Sequence, residues 1–291
     1  MPALFVMVCI VIVRSVTLPG AIEGIKFMFA PNFKPLQENF MSVLATAGGQ
    51  MFFSLSLGMG AMITYGSYLG KHENLEKNAL LVVVSDTLVA LMAGLAVLPA
   101  AFALGGEGAA MSGPKLLFVT LHDVFCARGP IGPLLGLIFY TLVFIAAITS
   151  SISLVEVITA HFLDKAAEKG KEGSRSKYTI IACSAIMVLA SVVAADGLGS
   201  NGLPQPLGLC WLDFMDLWSE GIMMPLGVML MSFCIAYEIK ISTVKNEIEQ
   251  QGNTFRTEKF FTFCLKFIVP PAMLMILLGM VDGIFGLGLF G

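Results

Sequence analysis

The sequence predicts an all-α polytopic membrane protein in which one helix is broken at mid-membrane. Three observations predict it. The 291 residues are 57% apolar and 13% charged, against roughly 25% charged in soluble domains, and mean hydropathy is +0.86. Seven stretches are apolar enough to enter a bilayer, where a spanning helix needs about 20 residues. One of them holds Gln50-Met-Phe-Phe-Ser-Leu-Ser-Leu-Gly-Met-Gly60, where Gly58 and Gly60 interrupt a helix beside two hydroxyls. Backbone opened in lipid leaves N–H and C=O groups without partners, which is tolerated only where they line a buried site. Secondary transporters build their ion and substrate sites from such discontinuous helices.

In chain order the expected spans are 1–16, 41–69 with its break near 55–60, 79–104, 132–163, 178–196, 212–238 and 260–281. The first is short. It has no basic leader and no small-residue cleavage site, so it reads as a helix cut at its N-terminal side, not as a signal peptide. Segment 20–36, with Pro31 and Pro35, reads as an ordered connecting loop, and 113–128 as an amphipathic loop helix. Cytoplasmic loops retain Lys and Arg. Loops 70–78, 164–177 and 239–259 carry eleven (Lys71, Lys77, Lys165, Lys169, Lys171, Arg175, Lys177, Lys240, Lys245, Arg256, Lys259). The opposite side carries five: Arg14, Lys26, Lys34, Lys115 and Arg128. The three richer loops therefore face the cytoplasm. A net charge of −3 does not suggest nucleic acid as a partner.

Few polar residues fall inside the spans. Asp86 is either wetted by the nearby loop or serves as a cation ligand or proton carrier, because an unpaired carboxylate there costs a few kcal/mol. Ala146-Ala-Ile-Thr-Ser-Ser-Ile-Ser153 places four hydroxyls in five residues. Small hydroxyl residues act as glue between helices. Thr149, Ser150 and the Ala146 carbonyl one turn earlier also make a compact oxygen face for a hard cation such as Na⁺. Glu156 shares that general face and is placed to bond the opened backbone of the broken span. His72, His122 and His161 read as loop or interface residues. The six scattered cysteines, with no CxxC pair, read as packing residues, although Cys126 and Cys210 fall on the same predicted side. With no nucleotide loop, no metal-spaced His or Cys cluster and no nucleophile–base pair, nothing supports an enzyme.

Phe52-Phe-Ser-Leu-Ser-Leu-Gly-Met-Gly-Ala-Met-Ile-Thr-Tyr-Gly-Ser-Tyr68 resembles the sixth helix of the neurotransmitter:sodium symporters, in particular their bacterial amino-acid-transporting branch. Ala146–Leu154 resembles that family's eighth helix, Gly20–Pro31 the loop before helix six, and Asp213-Phe-Met-Asp-Leu-Trp218 the start of helix ten. The likeness runs in order along essentially the whole chain. It implies the second five-helix repeat of the inverted-repeat sodium symporter fold, with the broken helix at the site. Residues 1–40 would be the end of helix five and an extracellular loop, 41–238 helices six to ten, and 239–291 a cytoplasmic loop and helix eleven. Helices one to four and the start of five would lie outside the chain.

The resemblance also implies roles. Ser54 and Asp86 supply side-chain oxygens to a first Na⁺ site, and Ala146 (carbonyl), Thr149 and Ser150 supply a second. Phe53, Ser54, Ser56, Met59, Ser151 and Leu154 line the substrate pocket. Gln50 and Asp216 belong to the extracellular gate, Tyr68 and Asp164 to the cytoplasmic gate. Asp86 stands where chloride-dependent members carry Asn, so chloride is not required. The expected function is Na⁺-coupled symport of hydrophobic amino acids by alternating access, in a bacterial inner membrane, with lipid, the amino acid and the absent N-terminal helices as partners. A non-transporting amino acid receptor or accessory subunit on the same fold is the alternative. A channel fits less well, because its rings of carbonyls or like charges are replaced here by single asymmetric polar positions.

Overall fold

The computed structural model describes residues 2–70, 72–105, 116–126, 132–170, 173–197, 203–249 and 252–285. Lys71, Lys115, Arg128 and Lys171 of the charge count lie outside them. Every regular element among the described residues is helical: α1 (Pro2–Val16), α2 (Ala21–Phe29), α3 (Lys34–Glu38), α4 (Phe40–Ser54), α5 (Ala61–Tyr68), α6 (Leu75–Gly105), α7 (Leu121–Cys126, preceded by a π turn at Leu116–Thr120), α8 (Gly132–Glu168) and α9 (Arg175–Gly197). There follow α10 (Trp211–Asp216) and α11 (Met224–Phe233), merged by π turns into one rod from Trp211 to Ile239, then α12 (Ile241–Ile248), α13 (Glu258–Phe263) and α14 (Val269–Phe285).

Five helices are long and apolar enough to cross a membrane: Leu75–Ala103, Gly132–Glu168, Arg175–Asp196, Trp211–Ile239 and Glu258–Asp282. They coincide with five of the seven expected spans. The other two differ for visible reasons: α1 has 15 residues, and 41–69 is divided into the half-helices α4 and α5. Apolar side chains cover the outside of these rods. On α9, Ile180, Met187 and Val188 are each about two-thirds exposed, the pattern of a surface solvated by lipid. The protein is a multi-pass membrane protein.

The chain divides into two compact units. One comprises residues 1–32 and 83–152, the other 33–82 and 153–291; the division passes through α6 and α8. In the first unit Val11, Leu18, Ala21, Ala96, Ala100, Leu121 and Phe139 form the core. Segment 20–36, expected as a loop, instead contains α2 and the start of α3. The reason is a face with a spacing of three. Ala21 and Gly24 are buried, and the Phe27 ring lies 5.1 Å from that of Phe102 on α6. The loop helix expected at 113–128 is present over the described 116–126.

In the second unit Ala45, Phe52, Met224, Met273 and Ile276 hold α4, α11 and α14 together. Polar links add to this packing and join further helices of the unit. The buried Ser232 hydroxyl donates to the Leu265 carbonyl at 2.6 Å, an oxygen on the π turn Cys264–Ile268. Thr159 on α8 and Thr179 on α9 are hydroxyl to hydroxyl at 3.3 Å. Loops 70–78 and 239–259, placed on one side by charge, are sewn together. Glu76 accepts from the Arg256 and Thr257 N–H groups at 3.2 and 3.0 Å, and Asn74 donates to Asn253 at 3.3 Å. In the same loop Lys245 donates to Glu258 at 2.7 Å, which raises the ammonium above its ordinary range.

Candidate functional site

The break between α4 and α5 is built by three residues in the left-handed region: Ser56 (φ 54°), Gly58 (φ 77°) and Gly60 (φ 81°). Gly58 and Gly60 adopt it without steric cost, whereas Ser56 adopts it at a cost. The last closures of α4 are Ser56 N–H to the Phe53 carbonyl at 3.1 Å and Leu57 N–H to the Phe52 carbonyl at 2.8 Å. Helix resumes where the Ile63 and Thr64 N–H groups both reach the Gly60 carbonyl at 3.1 Å. Between these points the carbonyls of Leu55, Ser56, Leu57, Gly58 and Met59 accept no backbone hydrogen bond among the described residues. The C-terminal end of α4 thus presents orphan carbonyls with partial negative charge, a surface for a cation or an ammonium group.

The opened strand is held, not loose. Leu57 and Met59 pack on the core of the second unit. A Cβ added at Gly58 would stand 2.5 Å from the Met224 carbonyl, and one added at Gly227 would stand 2.7 Å from the Gly58 carbonyl. The α11 backbone therefore touches the broken backbone directly. That close approach, which only glycine at both positions permits, was not anticipated from sequence.

Of the residues expected in the substrate pocket, the second unit carries Phe53, Ser54, Ser56, Met59 and Leu154, and the first carries Ser151. Phe53 and Leu154 are half-exposed apolar walls, at 52% and 44%. Ser151 donates back to the Ala147 carbonyl at 2.8 Å on its own helix. Of the expected Na⁺ ligands, Ser54 ends α4 in the second unit, and Asp86, Ala146, Thr149 and Ser150 lie in the first. Thr149 Oγ1 donates to the Ala146 carbonyl at 2.8 Å. Two oxygens proposed for one ion are thus already adjacent on α8.

Around the C-terminal end of α5 the structure groups what sequence left scattered. The Glu156 carboxylate accepts from the Tyr68 hydroxyl at 2.5 Å and pairs with Arg175 at 2.7 Å. Glu156 was expected to bond the opened backbone. It bonds the end of α5 and the start of α9 instead, because both its oxygens face the loop side. Tyr68 is thereby joined to loop 164–177, while Asp164 is exposed on α8. Gln50 on α4 and Asp216 at the end of α10 are both exposed and make no hydrogen bond to each other. The small cavity lined by Val11, Ser15, Leu18, Ala96, Leu121 and Phe139 in the first unit holds none of the expected site residues. At about 20 Å³ it is the size of one water.

Comparison with known proteins agrees with this architecture. The family model described as the sodium:neurotransmitter symporter family matches residues 1–284. An uncharacterized sodium-dependent transporter of Bacillus subtilis (strain 168), YhdH, is 34% identical over 284 residues, 97% of this chain and 60% of that protein. An uncharacterized sodium-dependent transporter of Haemophilus influenzae is 34% identical over 279 residues, 95% of this chain and 58% of that protein. The sodium- and chloride-dependent glycine transporter 2 of Xenopus laevis is 24% identical over 283 residues, 94% of this chain and 33% of that protein. The chain spans about three fifths of the length of the two bacterial relatives it matches. Matched over nearly its whole length, it belongs to the sodium:neurotransmitter symporter family.

Proposed function

We propose that this chain supplies the helix-six-to-ten repeat of a Na⁺-coupled symporter for hydrophobic amino acids that works by alternating access. The observation that carries the reading is the α4–α5 break, with its row of backbone carbonyls free of backbone partners and seated on α11. The chain divides functionally into 1–40, 41–238 and 239–291, the middle segment holding the site. The carbonyls at the end of α4 receive the substrate ammonium, with Phe53, Ser54, Ser56, Met59, Ser151 and Leu154 around the side chain. Ser54 and Asp86 serve one Na⁺. The Ala146 carbonyl, Thr149 and Ser150 serve a second. A hard cation takes about six oxygens, so ligands from helices outside this chain complete both sets. The carboxylate of Asp86 provides the negative charge that chloride supplies elsewhere.

Gln50 and Asp216 form the outer gate. Tyr68 and Asp164 form the inner one, where the Tyr68–Glu156–Arg175 chain of bonds is the latch. Binding of Na⁺ and substrate together closes the outer side, and release follows inside, where Na⁺ is low. The test is uptake of labelled leucine into vesicles carrying the chain together with a segment that supplies helices one to five, under an inward Na⁺ gradient. Accumulation that collapses when Na⁺ is replaced by choline supports symport. Na⁺-dependent binding with no accumulation would favour the receptor or accessory-subunit reading. Accumulation indifferent to Na⁺ would refute the proposal.

A further inference from the structure

α7 carries a pair of reactive groups to which no role is given above. The Cys126 sulfur lies 3.5 Å from His122 Nε2, one helical turn away, and both side chains are exposed. The platform beneath them is firm. Leu121, 1% exposed, is in the core of the first unit. The Phe125 ring packs on Phe139 at 5.7 Å and Tyr140 at 6.1 Å, and the Tyr140 hydroxyl donates to the Leu117 carbonyl at 3.1 Å. Leu121 and Phe125 anchor one face of the turn, and His122 and Cys126, each the next residue on, occupy the neighbouring one.

We propose that His122 and Cys126 form a two-ligand clamp for a thiophilic divalent cation, Zn²⁺ being the fitting ion. The geometry is quantitative. Zn–S is about 2.3 Å and Zn–N about 2.0–2.1 Å in a tetrahedral site, which separates the two donor atoms by about 3.6 Å. The observed 3.5 Å, spanned here by a thiol–imidazole hydrogen bond, matches that edge of the tetrahedron. Little rearrangement is needed: the Cys126 thiol gives its proton to water, the thiolate and the neutral Nε2 bind the metal, and water fills the remaining positions. Soft thiolate with imidazole selects Zn²⁺ over Mg²⁺ or Ca²⁺. Among the described residues no group of three or more His, Cys, Asp and Glu gathers as a metal site, so the clamp works with two protein ligands and binds reversibly. It needs neither Na⁺ binding nor transport and stands apart from the proposed function.

The experiment follows alkylation of the Cys126 thiol by a membrane-impermeant maleimide in open membrane fragments bearing the chain, with and without Zn²⁺. Mass spectrometry of the peptide containing Cys126 separates it from the other five free cysteines. Zn²⁺ at low concentration, but not Mg²⁺, is expected to slow labelling. In His122→Ala the thiol should still label, but the Zn²⁺ concentration needed for protection should rise by about tenfold or more. A thiolate-to-metal charge-transfer band should appear when Co²⁺ is added to purified wild type and be absent from Cys126→Ser. Absence of protection in wild type, or equal protection in His122→Ala, overturns the clamp and leaves a simple exposed thiol. His122→Ala keeps the helix-anchoring Leu121 and Phe125, and an unchanged melting temperature of the purified variant reports that α7 is still folded.

Discussion

The contact between Gly227 and the broken helix makes a prediction that separates function from stability. In Gly227→Ala the new methyl would stand 2.7 Å from the Gly58 carbonyl oxygen. Even weak C–H···O contacts lie at about 3.3–3.6 Å, so the two backbones must part by about 0.6–0.9 Å. Neither side is a flexible side-chain tip: one atom is backbone of the break, the other sits on the α11 backbone. Overpacking of this kind costs typically 1–3 kcal/mol, while replacing Gly by Ala in a helix returns about 1 kcal/mol. The net change in stability is therefore between about zero and 2 kcal/mol, a few degrees of melting temperature.

The cost to the site is larger, because functional geometry tolerates only about 0.5 Å of error. If the strain is relieved by pushing the break out of its binding geometry, substrate affinity should fall by about 5- to 150-fold. The assay is labelled-leucine binding at saturating Na⁺ by the chain co-purified with a segment supplying helices one to five, beside thermal melting of the same detergent-purified sample. Gly66→Ala in α5 is the control. A Cβ there meets nothing within 4 Å, so only the propensity gain remains, and binding should match wild type. Equal affinity in Gly227→Ala and Gly66→Ala, at similar melting temperature, would refute the claim that α11 sets the position of the break.

Other consequences follow from the proposed ligands. Thr149→Val combined with Ser150→Ala keeps approximate volume and removes two oxygens; the Na⁺ concentration for half-maximal substrate binding should rise at least tenfold, and an unchanged value would return these residues to helix-packing glue. Replacing chloride with gluconate should leave uptake unaltered if the Asp86 carboxylate balances the ions, so a large loss in gluconate would sink that role. Met is unbranched and re-packs around ligands of different size, so Met59→Phe should narrow the substrate range toward smaller aliphatic amino acids. Competition by Asp, Glu or Lys as strong as that by Leu or Trp would defeat the hydrophobic assignment.

What could be read from sequence, and what could not, divides along a physical line. The break was legible because its cause is local: Gly58 and Gly60 carry their left-handed φ values as residue types, and the absence of soluble-domain charge fixed the surroundings as lipid. The pairing of loops 70–78 and 239–259 was legible as a shared side, since basic residues sort by side whatever their contacts. The Thr149–Ala146 oxygen pair was legible because helical spacing alone brings residues three apart together. By contrast, Glu156 had the right helix face but the wrong partner, since Arg175 reaches it only through the packing of α9 on α8. α2 was missed because its burying face is short and its proline neighbours suggested a loop.

The same line explains the two features with the most consequence. Gly227 sits in Pro-Leu-Gly-Val, where nothing distinguishes a glycine that admits a facing carbonyl from one that fills a helix indifferently, as Gly66 does. Only the approach of the Gly58 backbone tells them apart. The His122–Cys126 pair was within reach of sequence, because 113–128 was already expected to be helical and a spacing of four on a helix is a contact. Two donors from one helix reach a common ion when they stand one turn apart, whatever their residue types, and His122 and Cys126 meet that condition through helical spacing alone.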